Sequence, residues 1–99
     1  MGNYFVYIVT NPSREVLYIG MTNDLNRRLM EHFENRGRAK TFAGKYFCYK
    51  LLYFERHYSA LAAIEREKEI KKWSRKKKDA LIKTENPGFR FLNTEVLEY

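Results

Sequence analysis

In the stretch MTNDLNRRLMEHF, residues 21–33, Arg28 and His32 stand four apart. On a helix that spacing stacks two side chains along one edge. A guanidinium fork beside an imidazole suits a phosphate, which accepts bidentate hydrogen bonds from arginine. An ordinary boundary pair, with the arginine stem lying over the core, is the plainer use of the same spacing. Further along, SALAAIEREKEIKKW, residues 59–73, gathers Ala60, Ala63, Ile64, Glu67 and Ile70 into one helical arc of about 120°. Glu65 and Glu69 fall on the opposite, wet face. A carboxylate in an apolar arc costs several kcal/mol unless a cation or hydrogen-bond donors meet it. An arginine such as Arg28, a tyrosine hydroxyl or a divalent metal could meet Glu67, and one carboxylate completed by waters and a substrate phosphate is typical of Mg²⁺. A buried Glu–Arg pair would satisfy it equally. Zinc is disfavoured, because His32 and His57 lack a partner at ligand spacing and Cys48 is the one cysteine.

The elements that must position these groups follow from pattern. NYFVYIVT (3–10) and REVLYIG (14–20) are β-branched and aromatic, with NPSR (11–14) as the turn between them. A four-residue turn pairs Thr10 with Glu15 and sets Tyr7 directly across from Tyr18, Cβ atoms roughly 5 Å apart. Neighbouring phenols on a sheet commonly do no more than pack. Asn23 or Asp24 caps a helix to about Phe33, with Leu25, Leu29 and Phe33 as its apolar stripe and Arg27 pointing away. ENRGRAK is a polar loop, and KTFAGKY (40–46) reads either as a short helix or as an irregular lead-in. FCYKLLYFE (47–55) is a third strand. Ser59 opens a helix to about Trp73, and a second helical piece runs from Arg75 to Lys83. Asn86-Pro87-Gly88 then breaks the chain, and FRFLNTEVLEY packs or frays. The order is β-β-α-β-α-α: an α/β (α+β) fold with a small three-stranded antiparallel sheet flanked by helices, residues 1–85 forming the domain and 86–99 a tail.

Charge and composition bound the partners. Nineteen Lys plus Arg against twelve Asp plus Glu leave +7 over 99 residues, and KKWSRKKK, Lys71 to Lys78, holds six of the cations. Such a field attracts polyanions, nucleic acid above all, with an affinity that falls steeply with salt; a solvated helix face is the bland alternative. No apolar run approaches the roughly 20 residues that span a bilayer, and no secretion signal is visible. A single cysteine excludes an internal disulfide framework. These features point to a globular, cytoplasmic protein.

The residues resemble the GIY-YIG (URI-type) nuclease superfamily, most closely its small stand-alone bacterial members, and the resemblance spans nearly the whole chain. Val6-Tyr7 matches the first motif and Tyr18-Ile19-Gly20 the second, eleven residues on. TNDLNRRLMEH matches the helix that follows, placing the family's catalytic arginine at Arg28 and its frequent histidine at His32. AIEREKEIKKW matches the later helix, whose metal-binding glutamate falls on Glu67. Phe5 stands where the family name has its first glycine. A late asparagine near the site in some members corresponds to Asn86 or Asn93.

The resemblance implies an endonuclease that hydrolyses DNA phosphodiesters with Mg²⁺ or Mn²⁺, in repair or recombination. Glu67 would hold the metal, Tyr7 would act as general base and Tyr18 would position the water or share its proton. Arg28 would stabilise the pentavalent phosphate, and His32 would support it or assist the leaving oxygen. A phenol with a pKa about 10 needs depression for that role. Gly20 would let the substrate approach, while Lys71, Lys72, Arg75 and Lys76, with Trp73, would hold the DNA backbone; Trp73 closing the core is the alternative. With no second DNA-reading domain, recognition of branched, flapped or single-stranded DNA is more plausible than sequence reading, with a protein partner as another source of targeting. A nucleic-acid-binding module with a vestigial site is the competing reading. Cys48 reads as a buried small residue in the third strand and His57 as an exposed turn residue. Tyr46, Tyr49, Tyr53 and Tyr58 serve either base stacking or sheet core.

Overall fold

The structure, a computed structural model, describes residues 2–97. Strand β1 (Tyr4–Thr10) runs down the middle of a three-stranded antiparallel sheet, between β2 (Leu17–Thr22) and β3 (Lys50–His57). As the central strand, β1 is covered on both faces, and Val6 through Thr10 are all buried. That is why it reads as a continuous apolar run rather than an alternating one. Val6 and Ile8 point to one face, where they pack with Ile19 and Leu52 against Ala63 and Ile70 of α3 (Ala60–Lys71) and Ile82 of α4 (Arg75–Glu85). Tyr7 and Val9 point to the other, with Leu51 and Cys48, beneath Leu25 and Leu29 of α1 (Leu25–Glu34), Ala43 of α2 (Phe42–Lys45) and Val96 of α5 (Asn93–Val96). Each fully buried Val, Leu or Ile contributes roughly 1.5–3 kcal/mol.

The element order is the expected one, with two short helices added: KTFAGKY forms α2, capped by Thr41, and the tail folds into α5. Asp24, Ser59 and Ser74 cap α1, α3 and α4 through side-chain oxygens, each satisfying an otherwise unpaired amide of the first turn.

The hairpin register differs from the expected one. Tyr7 lies opposite Gly20, and Tyr18 opposite Val9. The cause is Asn11, whose Oδ1 accepts from Glu15 N at 2.9 Å and Val16 N at 3.0 Å. With Arg14 turned to φ +61°, residues 11–16 form the connection and β2 begins at Leu17 rather than Arg14. The slip is two residues, so every β2 side chain keeps its face, and Tyr7 and Tyr18 remain on one side as diagonal neighbours.

Further corrections concern single residues. In α1 the buried set is Leu25, Leu29 and His32, while Phe33 is 49% exposed; His32, seven residues on from Leu25, falls in line with it. Cys48 is buried but precedes β3, which starts at Lys50 and extends to His57. His57 is not an exposed turn residue: it ends β3 with Nε2 at 2.7 Å from Glu55 Oε2. Glu55 also accepts from Tyr53 Oη at 2.6 Å and Arg66 Nε at 2.8 Å. Burial pushes the Glu55 carboxyl up, but those hydrogen bonds outweigh it and hold the group below the usual carboxylate range. Trp73 packs on the α3–α4 face with the Lys77 ammonium 4.3 Å above its ring, so it closes the core. Tyr53 is core, Tyr49 half-buried, and Tyr46 and Tyr58 are exposed.

Candidate active site

Tyr7 is the centre of the site. Its ring is fully buried, and its hydroxyl lies 2.8 Å from His32 Nε2 and accepts from Arg28 Nε at 3.2 Å. Both partners come from α1, which crosses the sheet on the tyrosine face; the four-residue spacing of Arg28 and His32 brings both to one phenol. Arg28 then reaches outward, donating Nη1 to Glu31 Oε1 at 3.0 Å. Burial pushes the Tyr7 phenol up to about 12, against the pull of Arg28. His32 is pushed down to about 4, first by burial and then by the Arg28 charge, so it is neutral at physiological pH. Arg28 can only donate. A neutral imidazole protonated on Nδ1 accepts the Tyr7 proton at Nε2, the assignment that gives the phenol one donor and one acceptor role. Arg28 itself loses to burial but gains more from the hydrogen bonds to Tyr7 and Glu31, and is held firmly charged.

Tyr18 stands beside this pair, its ring 6.5 Å from Tyr7 and 5.6 Å from His32. It is half-buried and therefore the phenol nearer solvent. Gly20 takes a different role from the expected one. A Cβ there would sit 2.3 Å from Tyr7 Oη and 3.0 Å from Tyr18 Cε2. The space left by the missing side chain is filled by the Tyr7 ring, not held open for substrate.

Glu67 reaches the site from α3. Its side chain, 20% exposed, pairs with Lys71 Nζ at 3.4 Å. Lys71 in turn lies 5.9 Å from the centre of the Tyr18 ring. The partner of Glu67 is thus a lysine one turn on, not Arg28 or a tyrosine hydroxyl. In its arc Ala63 and Ile70 are buried, whereas Ala60, Ile64 and Glu67 lie at the boundary. Among the described residues there is no group of three or more His, Cys, Asp or Glu side chains that could cage a metal ion. A lone boundary carboxylate fits a hydrated hard cation such as Mg²⁺, which keeps most of its waters, provided that Lys71 swings aside.

The expected DNA-backbone residues divide. Lys71 is at the site. Lys72 is exposed on the outer face of α3 beside Glu65, Lys68 and Glu69, and Lys76 is exposed on α4. Arg75 is committed elsewhere: it donates to Glu15 O at 2.6 Å, Arg14 O at 2.9 Å and Asp79 Oδ1 at 2.9 Å, tying α4 to the β1–β2 connection. Asn86 and Asn93 spend their amides on backbone. Asn86 donates to Leu52 O and Arg90 O and accepts from Arg90 N; Asn93 accepts from Leu51 N and donates to Tyr49 O. Both hold the tail against β3. Two groups at the site escaped the sequence reading. Glu31 was visible as an i+3 partner of Arg28. Phe42, whose ring stacks on Tyr18 at 6.3 Å, carried no spacing signal.

Fold and site together define a class. Residues 3–80 match the family model described as the GIY-YIG catalytic domain, and the chain belongs to that family. Its relatives include a UPF0213 protein of Haloquadratum walsbyi, 40% identical over 81 residues that cover 82% of this chain and 89% of that one. A UPF0213 protein of Bacillus pumilus is 36% identical over 80 residues, 81% of this chain and 79% of that one. The solution NMR structure of a UPF0213 protein from Bacillus halodurans superposes with a TM-score of 0.56 at 26% identity, covering 88% of this chain and 89% of that one.

Proposed function

We propose that the protein is a metal-dependent endonuclease that hydrolyses DNA phosphodiesters. The observation that carries this reading is the shared Tyr7 hydroxyl, bonded at once to Arg28 and His32, with Tyr18 beside it and the Glu67–Lys71 pair brought to the Tyr18 ring through Lys71. Burial pushes the resting phenol up to about 12 and the imidazole down to about 4, so a separated phenolate and imidazolium are both disfavoured here. Prior transfer of the Tyr7 proton to His32 is therefore too costly. The economical route is concerted: the attacking water gives its proton to Tyr7 Oη as Tyr7 passes its own to His32 Nε2, the water oxygen bonds to phosphorus while the scissile P–O bond breaks, and the leaving oxygen takes a proton from solvent, so no free phenolate forms. Arg28 faces the developing charge on the phosphoryl oxygens, and the anion in turn makes His32 easier to protonate. Glu67 would hold Mg²⁺ or Mn²⁺, which supplies Lewis-acid stabilisation of the phosphate when bound. Lys71, beside the Tyr18 ring, would hold the DNA backbone at the site.

A second reading, nucleic-acid binding without cutting, draws on two observations: Tyr7 has no exposed surface, and no multi-ligand metal cage stands among the described residues. A Mg²⁺-dependent cleavage panel on linear, flapped, forked and single-stranded DNA separates the two, with Arg28→Ala and Glu67→Ala in parallel. The nuclease reading expects both variants to lose cutting and to keep most of a salt-sensitive binding. Tight binding with no cutting of any substrate by the wild type establishes the second reading.

A further inference from the structure

We infer that the connection between α1 and β3 is a stacking ledge for unpaired nucleotides of single-stranded DNA, leading out of the site. This rests on the proposed action on DNA and names the form of DNA the site receives.

Between Phe33 and Lys50 the chain carries five aromatic rings and five cations against one carboxylate, Glu34. Four of those rings, Phe33, Phe42, Tyr46 and Phe47, are 40–52% exposed, a poor use of large apolar surface unless something covers it. They are not loosely hung. Gly37 N donates to Gly44 O at 2.8 Å, Cys48 N to Ala43 O at 2.8 Å, and Phe47 N to Gly44 O at 3.2 Å. Gly44 is packed so closely that a Cβ would lie 2.4 Å from Arg38 O. Phe47 is held at φ +58°, a conformation rare for a bulky side chain. That strain sets its ring outward over Gly37, itself at φ +83°. A rigid display of this kind lowers the ordering cost of binding.

The rings also form a route. Tyr18, in the site, stacks on Phe42 at 6.3 Å with 26° between planes, and Phe42 meets Tyr46 at 4.7 Å. Lys45 lies 5.3 Å from the Tyr46 ring, and Arg36, Arg38 and Lys40 are exposed on the same connection. Aromatic faces interleaved with cations are the chemistry that binds successive bases and their phosphates without reading sequence. Duplex DNA offers the cations its phosphates but keeps its base faces stacked inside. An acidic protein would satisfy the cations and leave the ring route unexplained.

The test uses the double variant Tyr46→Ser with Phe47→Asn, since asparagine tolerates a positive φ, and leaves Phe42 on Tyr18. Affinities for a labelled 12-nucleotide single strand, an abasic strand of equal length and the matching duplex are measured by anisotropy in chelator, so cutting plays no part. Single-strand affinity is expected to fall roughly tenfold or more, with duplex and abasic affinity within twofold of wild type and the thermal midpoint unchanged. Phe47→Tyr, which keeps a ring, is expected to bind as wild type and covers the case of a misfolded double variant. Unchanged single-strand binding in the double variant, equal weakening toward duplex, or an abasic strand bound as tightly as one with bases would overturn the ledge. The nuclease reading stands or falls separately on the cleavage panel.

Discussion

Two residues show how little freedom the site has. Gly20 faces Tyr7 across the hairpin, and Gly20→Ala places a methyl group 2.3 Å from a fully buried hydroxyl. The tyrosine must leave its bonds to Arg28 and His32, so the expected outcome is a loss of about 1–3 kcal/mol in urea unfolding together with loss of cutting. His32 gives the site a pH signature. Its value of about 4 in the fold, against about 6.5 in an unfolded chain, means the unfolded state binds a proton that the folded state refuses. Stability is therefore complete above about pH 6.5 and declines as pH falls toward 4, by about 2–3 kcal/mol for this shielded group. Urea midpoints at pH 7 and 4.5 should show that decline in the wild type and a flatter one in His32→Gln. The placement of Arg28 and His32 on one helical edge and of Glu67 at the boundary of α3 was legible in the sequence from helical spacing. The lysine that pairs with Glu67 was not singled out for that role, because a boundary carboxylate can take any cation within one turn.

At the level of elements, the hairpin teaches most. Strand identity was readable from β-branched and aromatic runs, but register was decided by one side chain. Asn11 captures the amides of Glu15 and Val16, and an asparagine at a turn mouth is a known source of such capture. The site survived the two-residue slip because faces alternate with period two. The tail is a second case. Asn86, almost wholly buried, ties it to β3 through Leu52 O and brackets Arg90 from both sides. Asn86→Ala strands those groups and should cost about 1–3 kcal/mol, read as a lowered melting temperature. Activity per folded molecule should be unchanged, since the amide touches none of the site groups. A role for Asn86 in the chemistry would appear instead as a lower rate at full folding.

Across the whole molecule, one sheet divides the work. The α3–α4 face packs Tyr53 and the aliphatic core and is closed by Trp73, while the α1 face carries Tyr7 and Tyr18, and Lys71 of α3, paired with Glu67, comes to the Tyr18 ring. That convergence depends on tertiary placement, so the sequence could nominate the members without showing that they meet. The net charge of +7 was equally legible, but composition does not say which cations are free, and Arg75 proves to be a structural tie. The central claim is that the Tyr7 hydroxyl moves a proton during phosphodiester hydrolysis. Tyr7→Phe keeps the ring, the packing and the room beside Gly20, and deletes one oxygen. In a Mg²⁺-dependent assay on a DNA strand that the wild type cuts, the variant is expected to fold and bind as before and to cut at least about a hundredfold more slowly. Cleavage by Tyr7→Phe at the wild-type rate would contradict the account.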